Sequence, residues 1–126
     1  MTKFGKFSHA IEDYLKAIYE LQQRNSPVTT SALANRMGYV PASVTGMLQK
    51  MSANSPILVK YTSHKGVVLT STGEKIALEI IRHHRLIELY LIEALGYKSD
   101  QVHDEAEKLE HVISEELEDR IAVFLG

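Results

Sequence analysis

The stretch TTSALANRMGYVPASVTGMLQKM, residues 29–51, decides the fold. Thr30 can cap a short helix that ends at Met37, because its hydroxyl can accept a free backbone N–H. Gly38 follows where a left-handed residue is wanted. Val40-Pro41 cannot extend that helix, since the residue before a proline is pushed out of the helical region. A second helix then starts at Ala42 or Ser43 and runs to Met51. Ala34 is small where two helices would cross closely, Gly38 permits the turn, and Val44, ten residues after Ala34, plugs the pair from the second helix. Leu33, Met37, Leu48 and Met51 supply further core. The pattern is a helix-turn-helix; an ordinary helical hairpin is the plainer alternative.

Working outward, Ile11, Tyr14, Leu15, Ile18 and Leu21 recur at helical spacing and predict a first helix from Ser8 to about Gln23. Asn25-Ser26-Pro27 ends it. On the other side, ILVKYTSHKGVVLT (57–70) reads as a β-hairpin with Ser63-His64-Lys65-Gly66 at its tip. A hairpin straight after a helix-turn-helix is a wing. Ser71 and Glu74 form an S-x-x-E capping box that opens a long helix to about Leu95, stopped by Gly96. Ile76, Ala77, Ile80, Ile81, Leu86, Ile87, Leu89, Leu91 and Ile92 make much of that helix apolar. So much apolar surface needs more than one neighbour, such as a core on one side and a second subunit on the other. One last helix is expected from about Ser99 to about Glu118, then a shorter apolar segment from Ile121 to Leu125. The fold expected is mainly α: a winged helix-turn-helix domain over 1–72, then a helical domain over 73–126.

A chain of 126 residues fits one domain or two small subdomains. It has no cysteine, which excludes disulfides and thiolate metal sites. Residues 1–70 carry eight Lys/Arg against three acids, a net of +5, whereas residues 71–126 carry six against thirteen, a net of −7. A basic half suits phosphate and an acidic half suits cations. Within the basic half, Ser43, Thr45 and Gln49 are candidates for contacts to DNA bases or phosphate. Lys50 and Lys65 are candidates for phosphate contacts, which position a protein without reading sequence. No apolar run approaches the roughly 18 residues of a membrane span, and no signal-peptide core opens the chain. A soluble cytoplasmic protein is expected.

The acidic half holds HDEAEKLEH, residues 103–111. On a helical wheel, His103, Glu107, Glu110 and His111 fall in one arc of about 100°. Val102, Ala106, Leu109 and Ile113 form the adjacent core stripe, and Asp104, Glu105 and Lys108 point elsewhere. Carboxylates and imidazoles at the edge of a buried face lose hydration unless something neutralises them, and a divalent cation does so. His84 and Glu88 share a face of the preceding long helix and point inward, while His83 reads as surface. Such imidazole–carboxylate sets suit Mn²⁺, Fe²⁺, Co²⁺ or Zn²⁺. The plain alternative is a solvated helix face on a metal-independent winged-helix regulator. An enzyme is not expected: the E-x-x-H pairs of di-iron bundles and H-E-x-x-H are both absent.

The strings EDYLKAIYEL (12–21), SVTGMLQKM (43–51), LTSTGEKIA (69–77), HHRLIELYL (83–91) and VHDEAEKLEHVISEELEDRI (102–121) resemble the diphtheria toxin repressor/MntR family. These are metal-activated bacterial transcription regulators, and the resemblance covers nearly the whole chain. It implies a homodimer that binds a double-stranded DNA operator and represses metal-uptake genes when Mn²⁺ or Fe²⁺ is bound. It implies a primary metal site of Asp13, Glu107, Glu110 and His111, and an ancillary site of His84, Glu88 and His103. Asp13 and Glu107 look like the manganese branch. The chain departs from that branch at Lys16, where manganese-type members carry a second glutamate; a charged lysine does not ligate.

Overall fold

The computed structural model describes residues 7–126. They form α1 (His9–Gln22), α2 (Thr30–Met37), α3 (Pro41–Ala53), β1 (Val59–Thr62), β2 (Gly66–Leu69), α4 (Ser71–Leu95), α5 (Val102–Glu110) and α6 (Glu115–Leu125). The expected class is found: a winged helix-turn-helix, then a helical region. Two compact units divide within α4, one covering Ala10–Leu78 and the other holding Glu79–Gly126.

In the first unit, the cap of α2 is Thr29 rather than Thr30: its hydroxyl accepts the Ala32 N–H at 3.1 Å. Gly38 takes φ +73° and donates its N–H to the Ala34 carbonyl, closing α2 in the left-handed conformation expected. The second helix begins one residue earlier than expected, at Pro41. Proline at the first helical position loses nothing, because that N–H has no partner inside a helix. Leu33, Ala34, Val44, Leu48 and Met51 are buried, so the pair is locked through the residues that predict it.

The wing pairs β1 with β2 antiparallel, Val59 opposite Leu69 and Thr62 opposite Gly66. Val28 adds a bridge to Val67 on the free side of β2. That approach explains Gly66, which has φ +128° and lies where a Cβ would sit 2.3 Å from the Val28 carbonyl oxygen. The expected Ser71 cap is replaced by Thr70. Its hydroxyl accepts the Gly73 N–H at 3.1 Å and donates to the Ile57 carbonyl at 2.8 Å, tying the start of α4 to the base of the wing.

The second unit packs Ile87 and Leu91 of α4 against Val102 and Ala106 of α5, with Ile113 and Ile121 completing the core. Here the single last helix expected over 99–118 is two helices, broken at residues 111–114. Ser114 starts the second by accepting the Leu117 N–H at 3.1 Å. Glu115, Glu116 and Glu118 in its first turn suit the positive end of the helix. Leu109, assigned to the core stripe, is exposed instead, because the chain turns away just after it.

Candidate metal centre

Two imidazoles and a carboxylate converge between α4 and α5. His84 and Glu88 lie one turn apart on α4, with His84 Nε2 3.2 Å from the Glu88 carboxylate. His103, at the start of α5, brings its Nδ1 to 3.9 Å from the other oxygen of Glu88. One ligand atom from each of the three lies within 4.8 Å of the others. The expected inward pair and His103 are therefore brought together.

Glu110 closes α5 and is 1% exposed. Its Oε2 lies 3.2 Å from His84 Nδ1, and its Oε1 lies 3.8 Å from His111 Nε2. His111 is the residue on which α5 ends. Burying a carboxylate costs several kcal/mol unless positive charge or hydrogen bonds compensate it, and here two imidazole nitrogens face it. Glu107 lies one turn earlier and is more open: its side chain is 53% exposed, and its carboxylate sits 3.4 Å from His103 Nε2. Asp13 lies on α1 within the first unit, next to the buried Glu12.

The donor set fits a divalent transition metal. It offers imidazole nitrogen and carboxylate oxygen with no thiolate, and its most buried members, His84 and Glu110, face each other. This chemistry agrees with Mn²⁺, Fe²⁺, Co²⁺ or Zn²⁺ and does not choose among them.

His83 corrects the reading of the sequence. Expected at the surface, it is 1% exposed. Its Nδ1 lies 3.3 Å from the main-chain carbonyl oxygen of Glu110, and its Nε2 pairs with Glu118 of α6. Glu118 is itself buried and paired with Arg82. The sequence places His84 and Glu88 on an inward face of α4; the turn after α5 and the start of α6 cover the side on which His83 lies.

On the DNA-facing candidates, Ser43, Gln49 and Lys50 are exposed on α3 and Thr45 is half-buried, while Val44, Leu48 and Met51 of the same helix are buried. Lys65 is exposed in the three-residue turn of the wing, where His64 adopts φ 67°. The buried tyrosine of α1, Tyr14, has its phenol pushed above the ordinary value of 10.0 by burial and then by the nearby Tyr39.

Comparison with known proteins agrees with this architecture. Residues 6–67 match the iron-dependent repressor N-terminal DNA-binding domain, and residues 70–126 match the iron-dependent repressor metal-binding and dimerisation domain. An uncharacterised helix-turn-helix transcriptional regulator of Methanocaldococcus jannaschii is 35% identical, covering 94% of each chain. MntR of Bacillus subtilis is 32% identical over 89% of this chain and 77% of its own. A manganese-dependent transcriptional repressor solved with manganese superposes with a TM-score of 0.80 at 40% identity, over 92% of this chain and 52% of that one. The chain thus spans about half the length of that solved repressor. The chain belongs to the diphtheria toxin repressor/MntR family of metal-dependent, DNA-binding transcriptional regulators.

Proposed function

We propose that this chain is a cytoplasmic, homodimeric repressor of metal-uptake genes that binds its operator when loaded with Mn²⁺ or Fe²⁺. The observation that carries the metal reading is the buried Glu110 carboxylate faced by His84 and His111, with Glu88 and His103 beyond His84. Glu110 and His111 would hold the primary metal, with Asp13 and Glu107 completing the set that the family resemblance implies. His84, Glu88 and His103 would hold an ancillary one. A metal-independent regulator would leave the 103–111 face solvated, and the burial of Glu110 speaks against that.

The bound metal supplies positive charge and fixed coordination. It can switch DNA binding only by favouring the DNA-competent state over the alternative. In that state α3 enters the major groove. Ser43, Thr45 and Gln49 meet bases or phosphate, and Lys50 and Lys65 meet phosphate. Ala42 and Gly46 leave few long side chains for base readout, so methyl contacts and DNA shape contribute. Dimerisation is supported by apolar side chains exposed on the second unit, including Leu89, Val123 and Phe124. Two recognition helices would then read half-sites roughly 34 Å apart. No helix among the described residues is long and apolar enough to cross a membrane.

Calorimetric titration with Mn²⁺ tests the ligand assignment. Glu107→Ala should keep the helical circular-dichroism spectrum and lose metal affinity by tenfold or more. Unchanged affinity would remove Glu107 from the primary site.

A further inference from the structure

The buried residues His83 and Glu118, and the exposed Arg82 paired with Glu118, are not used by the metal or DNA contacts described above. His83 follows Glu79 by one turn of α4 and lies 3.6 Å from its carboxylate. Its ring spans two other elements. A carbonyl oxygen only accepts hydrogen bonds, so at 3.3 Å from the Glu110 carbonyl the Nδ1 atom is the donor. The opposite nitrogen, Nε2, faces Glu118 in the first turn of α6, and the second oxygen of Glu118 is held by Arg82. The Glu110 carbonyl lies at the end of α5, where helical carbonyls run out of partners within the helix. His83 thus pins the main chain of the residue whose side chain faces His84 and His111.

We infer that His83 is a positioning residue for the metal centre: its Nδ1–H fixes the end of α5, and with it the aim of Glu110 and His111. Glu118 and Arg82 hold the ring from the far side. This rests on the reading that Glu110 and His111 bind metal. Partners one step behind a ligand orient it, and their loss typically lowers metal affinity by about 10–100-fold. The role is separable from general stability because the two ring nitrogens do different things. An asparagine amide lies near where Nδ1 was and can still donate to the Glu110 carbonyl. A glutamine amide lies nearer Nε2 and serves Glu118 instead.

The test is Mn²⁺ calorimetry on the full chain for the unaltered protein, Glu110→Gln, His83→Asn and His83→Gln, with thermal melts of each metal-free protein. The inference predicts that His83→Gln weakens Mn²⁺ binding by about tenfold, while His83→Asn stays within about threefold of the unaltered protein. Both variants should melt at lower temperature, so stability alone would not separate them. Equal affinities in the two His83 variants, with Glu110→Gln clearly weakened, would overturn the positioning role and leave the metal site standing. An undiminished affinity in Glu110→Gln would overturn the metal reading itself, and the inference with it. Should neither His83 variant fold, Glu118→Gln provides the second measurement. It keeps a polar partner on the ring and should retain affinity within about threefold; a tenfold loss would show that the charge of Glu118, not the hold on Glu110, governs the site.

Discussion

Glu110 answers three neighbours at once: one carboxylate oxygen faces His84, the other faces His111, and its carbonyl meets His83. The first two neighbours are legible in the sequence, because His84 and His111 stand at spacings that place them near the edge of a buried face. The third is not. A wheel drawn for one helix reports which residues share a face, not how many faces are covered. His83 lies off the face shared by His84 and Glu88, so it looks exposed until α6 is placed beside it. Glu118 is missed for a related reason: expected at the end of a single last helix, it lies in the first turn of α6 and reaches His83. Two residue-level predictions lie away from the metal. Gly66→Ala should destabilise the first unit by about 2–3 kcal/mol in urea titration, because a Cβ would meet the Val28 carbonyl and φ is positive. Tyr14 carries a pH signature. Its phenol holds its proton more tightly folded than unfolded, so its contribution is fully present below about pH 10 and is lost as pH rises through the raised folded value. Tyr14→Phe should flatten that alkaline decline; an identical decline in both proteins would show that Tyr14 does not cause it.

At the scale of elements, the helix-turn-helix and wing follow from local signals that agree with one another: a glycine at a left-handed position, a proline at a helix start and alternation in the hairpin. Their boundaries move by only one residue, Thr29 for Thr30 and Pro41 for Ala42, because each cap has a close competitor alongside it. The division of the last helix is harder to see. Residues 111–114 contain neither glycine nor proline, and the break is made by a serine that caps the next turn. Ser114→Ala should therefore lower stability by about 1 kcal/mol, read as a shift of the urea midpoint at constant slope. A change below about 0.2 kcal/mol would mean that packing alone sets the start of α6. The break matters for function, since it places His111 at a helix end rather than inside a continuous helix. The ligand arc drawn on an unbroken wheel grouped Glu107 with Glu110 and His111, whereas its carboxylate turns towards His103.

For the whole molecule, the separation of charge along the chain matches the division of labour: the half with a net positive charge carries the DNA-reading elements, and the acidic half carries every candidate ligand except Asp13. Function was legible because the fold and the ligand types point the same way, whereas the identity of the metal was not. Imidazole and carboxylate serve several divalent ions, and selectivity rests on coordination geometry that residue types do not encode. The central claim is that metal governs DNA binding. Fluorescence anisotropy with a double-stranded operator, selected from a random-sequence pool by the Mn²⁺-loaded protein, measures this directly. With Mn²⁺ or Fe²⁺ present, binding should be at least tenfold tighter than with excess chelator, and it should return when metal is restored, a coupling of the size expected between two linked sites. Operator binding that is equally tight with metal and with chelator would contradict the account.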